Sequence, residues 1–200
     1  MNKKHLSISI LIILLLISSL NFNYINAKDN TFTETDQYNN LRLGNEYVVI
    51  VVNQDQNSRG RFAIETTGGA PLRDNDDNKP LVYGRPKPWT SYTTIRIDGE
   101  NYIFGGPTER RAGRNANYGE VIRGPEVEGD KIITATEIDG IMVEQILSIV
   151  KSTTTGLPDS ARIKYRIENQ SEEPKDIGLR IMLDTMLGEN DGAPFRIGKN

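Results

Sequence analysis

Apolar and polar residues alternate over much of the chain from Leu41 onward, with the two-residue repeat that is typical of β-strands. In segment 161–168, Ile163, Tyr165 and Ile167 fall on one face and charged residues fall on the other. This pattern predicts a half-buried antiparallel strand. Segment 177–183 follows the same rule, because isoleucine and leucine occupy its odd positions while Arg180 lies on the opposite face.

Two Asp-Gly pairs predict tight β-hairpins. Asp98-Gly99 separates the β-like segments 92–97 and 101–104, and Asp139-Gly140 separates 131–138 from 141–150. Both residue types tolerate the positive φ that a two-residue hairpin turn requires. Segment 141–150 also fits a helical repeat, but its β-branched content and its Asp-Gly start favour a strand.

These segments together predict an all-β fold. Segment 47–52 is apolar on both faces, which is typical of a buried strand. We count about nine or ten strands joined by short turns and no helix, so residues 41–200 are expected to form one antiparallel β-sandwich domain. The polar segment 28–40 is expected to be a flexible leader. Because no closing strand follows segment 177–183, the sandwich is expected to be incomplete at its C-terminus.

The first 27 residues have the layout of a secretory signal peptide. Lys3 and Lys4 precede the apolar run 8–17, and the small residue Ala27 marks the expected cleavage site. The apolar run is about half the length of the ~20 residues that a spanning helix needs. An uncleaved N-terminal anchor is the alternative. The pattern predicts a secreted or cell-envelope protein without a membrane span after cleavage.

Composition excludes several kinds of chemistry. The chain has no Cys, and its one His is His5, inside the predicted signal. Disulfides, thiolate metal sites and Ser-His-Asp catalysis are therefore excluded from the mature protein. Removal of residues 1–27 leaves 22 Lys+Arg and 27 Asp+Glu. A mildly acidic chain is not expected to bind nucleic acid, because that affinity comes mainly from neutralised phosphates.

Candidate ligand contacts follow the last predicted strand. Arg180 and Asp184 share its polar face, which indicates either a ligand groove or a solvated sheet face. Asn190 and Asp191, with Glu189, offer oxygen ligands that suit Ca²⁺, but the same run is typical of a tight turn, so no metal site is assigned. The single Trp, Trp89, lies between prolines and could stack on a sugar ring or fill the core.

No catalytic residue is assigned, and a role without catalysis is favoured. Glycoside hydrolysis needs two carboxyl groups about 5 to 9.5 Å apart. The candidate acids Glu65, Glu144, Asp184 and Asp191 are spread over four segments, and the sequence does not show which of them converge.

Segment 141–150, the strand carrying Tyr165 and Asn169, and the strand that ends at Asp184 resemble the middle of a galactose-mutarotase-like β-supersandwich. The resemblance covers about residues 132–195. It implies a sheet that faces a sugar. Mutarotases rely on His residues that the mature chain lacks, so the resemblance implies a sugar-binding sandwich without epimerase activity.

The expected function is therefore that of an exported carbohydrate-binding β-sandwich module that is not an enzyme. Its expected contacts are Trp89, Arg180, Asp184, Asn190 and Asp191, and its expected partner is a glycan or another cell-envelope component. The first alternative is a structural or adhesive envelope module with no small-molecule site. The second is a carboxylate-based glycan hydrolase or lyase.

Overall fold

The computed structural model describes residues 30–108, 115–192 and 194 of the 200-residue chain. The predicted signal peptide, residues 1–27, lies outside them. The described residues contain no helix and confirm the all-β class. Their strands are β1 (Phe32–Thr35), β2 (Asn40–Gly44), β3 (Val48–Asn53), β4 (Phe62–Thr66), β5 (Pro80–Val82), β6 (Tyr92–Ile97), β7 (Glu100–Ile103), β8 (Asn117–Tyr118), β9 (Glu120–Glu128), β10 (Lys131–Ile138), β11 (Ile141–Val150), β12 (Ser160–Asn169) and β13 (Ile177–Met182).

The strands form three sheets. Sheet A has the order β1-β2-β3-β4-β5, sheet B has the order β13-β6-β7-β8, and sheet C has the order β12-β11-β10-β9. All neighbouring strands are antiparallel except β7 and β8, which pair in parallel. The antiparallel prediction therefore holds for every pair but this short one.

Both predicted Asp-Gly hairpins are confirmed. Asp98 and Gly99 have φ values of 48° and 96°, and Asp139 and Gly140 have values of 48° and 75°. The second turn places Ile138 opposite Ile141, and β11 then pairs along its length with β10 and β12. Segment 141–150 is thus a strand, and the helical alternative is wrong.

Sheet C covers sheets A and B on one common face, so the molecule is a two-layer sandwich. At one end of sheet C an apolar cluster packs against sheet A, with the buried members Leu41, Leu43, Ile50, Val52, Phe62, Ile132 and Leu147. At the other end a second cluster packs against sheet B, with the buried members Ile95, Ile97, Phe104, Ile138, Ile141 and Val143. Sheets A and B therefore lie side by side in the layer opposite sheet C.

A polar seam, formed by Gln145, Tyr165 and Thr93, lies between the two apolar clusters. Gln145 is 1% exposed, and its Nε2 donates to the Gly60 carbonyl (3.1 Å) and to the Tyr165 hydroxyl (2.6 Å). The same hydroxyl shares a hydrogen bond with Thr93 Oγ1. Because a buried amide needs partners, these bonds tie sheet C to both sheets of the opposite layer.

The expectation of a flexible leader over residues 28–40 is corrected by β1. Residues 32–35 pair with β2 although all four are exposed, and Glu34 forms an ion pair with Arg42 at 3.1 Å. Strand β1 is held by backbone pairing with β2, and none of its side chains is buried. An exposed strand of this kind gives no hydrophobic signal in the sequence.

After β13 the chain crosses from sheet B to sheet A. The Tyr83 amide donates to the Asp184 carbonyl (2.8 Å), and the Met186 amide donates to the Leu81 carbonyl (3.2 Å). Residues 184–188 therefore run beside β5 at the edge of sheet A. The two sheets of this layer are thus joined by the crossover as well as by the polar seam.

Strand β13 has a partner on one side only. It pairs with β6, and its other edge is open within the part of the chain that the structure describes. Leu179 and Ile181 lie on its inner face, yet they are 41% and 36% exposed. This is an unusually apolar open edge, since edge strands of monomeric proteins are commonly protected by charge, proline or a bulge.

Candidate functional site

A groove lies on the outer face of sheet A, on the side away from sheet C. Pairing places Arg42 of β2 opposite Val51 of β3, and Val49 opposite Glu65 of β4, so these residues share one face. Segment 83–88 folds over the same face. Between them is a cleft of about 610 Å³ with the lining residues Asp36, Tyr38, Asn40, Arg42, Val51, Glu65, Gly84, Arg85 and Pro86.

Gly84 lets segment 83–88 approach sheet A closely. A Cβ on Gly84 would lie 2.4 Å from the Ala63 Cβ, which is too close for any side chain. Asn40 Nδ2 donates to the Pro86 carbonyl at 2.8 Å, and Lys87 forms an ion pair with Asp55. These two contacts hold the C-terminal end of the segment against sheet A, and they fix this wall of the groove.

Glu65 is the centre of the groove's electrostatics. Its side chain is 9% exposed, and it accepts from Arg85 Nε at 2.8 Å. Arg42 Nη2 lies 3.7 Å from the second carboxylate oxygen. The hydrogen bond to Glu65 raises the pKa of Arg85, so that guanidinium stays charged. Both arginines are thus oriented before any ligand arrives.

Asp36 and Tyr38 form the rim of the groove beside β2. Asp36 Oδ1 accepts from the amides of Tyr38 (2.8 Å) and Asn40 (3.0 Å), which shapes the turn between β1 and β2. Tyr38 is 43% exposed and lines the cleft. The rim therefore presents a partly exposed aromatic side chain next to a fixed carboxylate.

The charges of the groove nearly cancel. Its lining contains two arginines and two carboxylates. Arg42 lies within ion-pair distance of Asp36 and of Glu65, and Glu65 also pairs with Arg85. Such a surface offers both hydrogen-bond donors and acceptors without a net charge. It suits a neutral ligand with many hydroxyl groups better than a strongly charged one. The Tyr38 ring adds a flat, partly exposed apolar surface beside these polar groups.

The sequence-predicted contacts lie elsewhere in the fold. Arg180 is on the outer face of sheet B, as alternation predicts, where it lines a second cleft of about 250 Å³. Asp184 is partly buried in the crossover, and its backbone amide donates to Ser91 Oγ at 3.0 Å. Trp89 is partly buried in the loop between β5 and β6.

Asn190 and Asp191 are exposed in a turn after the crossover. Asn190 Oδ1 accepts from the Gly192 amide at 3.0 Å, and the backbone of Asn190 pairs with Leu187. Within the described residues no group of three or more His, Cys, Asp or Glu side chains is placed to hold a metal ion. Among the same residues no helix is long and apolar enough to cross a bilayer.

Sequence reasoning missed most of the groove. The sequence indicates Glu65 as a candidate carboxylate, but its patterns do not indicate Arg42, Arg85 or Tyr38. Their signal is weak because they come from separate segments and meet only through strand pairing. A charged residue directly after the apolar residues 62–64, inside a predicted strand, is the one feature that points to this face.

Comparisons of the chain with protein-family models, with curated proteins and with solved structures found no match.

Proposed function

We propose that this protein is an exported carbohydrate-binding module that holds a neutral glycan in the groove of sheet A. The observation that carries the proposal is the pre-oriented set of Arg42, Glu65 and Arg85 beside the exposed Tyr38. These groups would fix the directions of sugar hydroxyls, and the ring would cover an apolar sugar face. Export rests on the N-terminal pattern of residues 1–27.

Isothermal titration with soluble neutral polysaccharides, such as xylan, β-glucan and galactomannan, tests this proposal. Glu65→Gln keeps the shape of the side chain but removes the charge that orients both arginines. We expect it to weaken binding about tenfold, as we expect of Tyr38→Ala, which corresponds to about 1.4 kcal/mol for each variant. Retained affinity in both variants would contradict the groove assignment.

Glu144→Gln is the matched control for Glu65→Gln. Glu144 also lies on a sheet face, is 16% exposed and pairs with Arg166 at 3.1 Å, but it belongs to sheet C. We expect this variant to bind like the unchanged protein. Asp184→Ala separately tests the contacts predicted from sequence, since those contacts require it to lose binding while the sheet A groove does not.

A structural or adhesive role is a second candidate, favoured by the open edge of β13. Antiparallel pairing of two copies about Ile181 would place Leu179 opposite Leu183 of the second copy on the inner face. The chain has no Cys, so Ile181→Cys forms a specific crosslinking probe. This role predicts rapid disulfide-linked dimers of that variant, and sedimentation as a monomer at 100 μM would count against it.

A further inference from the structure

A second cleft lies on the outer face of sheet B and differs from the sheet A groove in its charge. Strand pairing places Gly178 of β13 opposite Arg96 of β6, and Arg180 opposite Thr94. Asn101 of β7 lies on the other side of Arg96. These residues line the cleft of about 250 Å³. Its walls therefore come from three neighbouring strands of one sheet.

The two arginines of this cleft are not engaged by the rest of the described protein. The side chain of neither Arg96 nor Arg180 makes a hydrogen bond or ion pair with any residue in the described ranges. In contrast, Arg42, Arg85 and Arg123 are all held by carboxylates. Arg96 and Arg180 therefore leave their guanidinium donors available to a ligand.

The two guanidinium groups start from diagonally related positions. Residues diagonal to each other on neighbouring antiparallel strands are about 7 to 8 Å apart, a distance that long side chains span easily. Gly178 lies directly opposite Arg96 and next to Arg180 on the same face, and it adds no side chain between them. Both guanidinium groups can therefore reach one ligand group above Gly178.

Thr94 adds a hydroxyl group to the lining of this cleft. It lies on the outer face opposite Arg180 and is 4% exposed, yet its Oγ1 has no hydrogen-bond partner. A buried hydroxyl without a partner is costly and rare in native proteins. A ligand oxygen or a bound water that reached this hydroxyl would provide the missing partner.

We infer that this cleft binds an oxyanion, and specifically the carboxylate of an acidic sugar. Two free guanidinium groups, a side-chain amide and a hydroxyl offer donors to a planar anion, and arginine pairs with carboxylates through two parallel hydrogen bonds. The oxyanion site rests on its own geometry. Its assignment to acidic sugars rests on the proposed carbohydrate-binding function, which the sheet A groove supports separately.

The test compares two polymers with one backbone. Polygalacturonate carries a carboxylate on each sugar, whereas its methyl-esterified form does not. We expect the unchanged protein to bind polygalacturonate at least tenfold more tightly than the esterified polymer in 50 mM NaCl. The preference should shrink at 300 mM NaCl, because salt screens exposed charges. Equal affinity for both polymers would overturn the inference.

Variants then place the binding in the cleft. Arg96→Gln and Arg180→Gln should each weaken polygalacturonate binding about tenfold, while Arg180→Lys should retain part of the affinity because it keeps the charge but loses the planar fork. Arg162→Gln on sheet C makes the same change of charge at another exposed arginine and should have no effect. An equal loss in Arg162→Gln would overturn the assignment to this cleft.

Further measurements distinguish binding of an acidic sugar from binding of any anion, and the sheet B cleft from the sheet A groove. Inorganic sulfate should bind far more weakly than the polymer, and equal affinity for sulfate would overturn the acidic-sugar assignment. If the cleft variants have no effect while Glu65→Gln and Tyr38→Ala still weaken neutral-glycan binding, the cleft inference fails and the proposed function stands.

Discussion

Removing the Tyr165 hydroxyl is the sharpest test of how the two halves of the core are joined. In Tyr165→Phe the ring stays, together with its edge-on contact with Phe104, whose centroid lies 5.7 Å away. The hydrogen bonds to Gln145 Nε2 and Thr93 Oγ1 disappear. The variant therefore isolates the polar part of the seam from its apolar packing.

The expected loss of stability in Tyr165→Phe depends on the hydrogen bonds that Gln145 and Thr93 keep. Gln145 keeps its bond to the Gly60 carbonyl, so only one of its amide hydrogens loses a partner. Thr93 is fully buried and loses its bond to Tyr165. With about 1 kcal/mol for each lost bond and a further penalty for the buried groups left unsatisfied, we expect Tyr165→Phe to lower the free energy of unfolding by about 2 to 3 kcal/mol.

Urea unfolding followed by far-ultraviolet circular dichroism measures this change. With a slope of about 2 kcal/mol per molar urea, the midpoint should fall by about 1 M or more. Tyr102→Phe is the matched control, because Tyr102 packs against the same apolar cluster and its hydroxyl bonds to no described residue. It should change stability by less than about 0.5 kcal/mol.

A double-mutant cycle measures the energetic coupling between Tyr165 and Thr93. Thr93→Val removes the second partner, so adding it to Tyr165→Phe should cost less than Thr93→Val alone, with a coupling of about 1 kcal/mol. Additive effects would show that the two side chains act independently. A Tyr165→Phe variant as stable as the unchanged protein would refute the view that the seam stabilises the fold.

Three further predictions concern pH and the groove. Burial raises the pKa of Tyr165, so stability present below pH 10 should decline as pH rises above that value, and Tyr165→Phe should decline less in urea unfolding at pH 9 to 11. The Asp176 amide and then Lys175 lower the pKa of Asp98, so stability should be lost as pH falls below about 4, and less so in Asp98→Asn thermal melts. Gly84→Ala should lower the free energy of unfolding by about 1 to 3 kcal/mol and weaken the proposed neutral-glycan binding in titrations, because its Cβ would lie 2.4 Å from the Ala63 Cβ.

Local features of the sequence predicted much of the fold. The Asp-Gly turns at 98–99 and 139–140 specify their hairpins because the turn residues and the flanking strands are neighbours in the chain. The division into one sheet opposite two others could not be predicted in the same way. It depends on which apolar faces meet, and the alternation in each strand is the same whichever sheet receives it.

The candidate sites depend on contacts between distant segments. Arg42, Glu65 and Arg85 converge through two strand pairings and a returning loop, and no spacing in the sequence records this. Alternation did place Arg180 on the polar face of its strand. Its neighbour Arg96 could not be inferred, because the pairing of β13 with β6 joins residues far apart in the chain.

The pairing of β13 with β6 also has a consequence for the order of folding. Strands β9 to β12 pair with their neighbours in the chain, whereas β13 places Ile177 opposite Ile97 across the whole of sheet C in sequence. Contacts between distant segments carry a larger loop-closure cost and form late. We therefore expect β13 to dock last. The cleft between Arg96 and Arg180 forms only when β13 pairs with β6. A ligand bound there would therefore stabilise the docked position of β13 and slow its detachment.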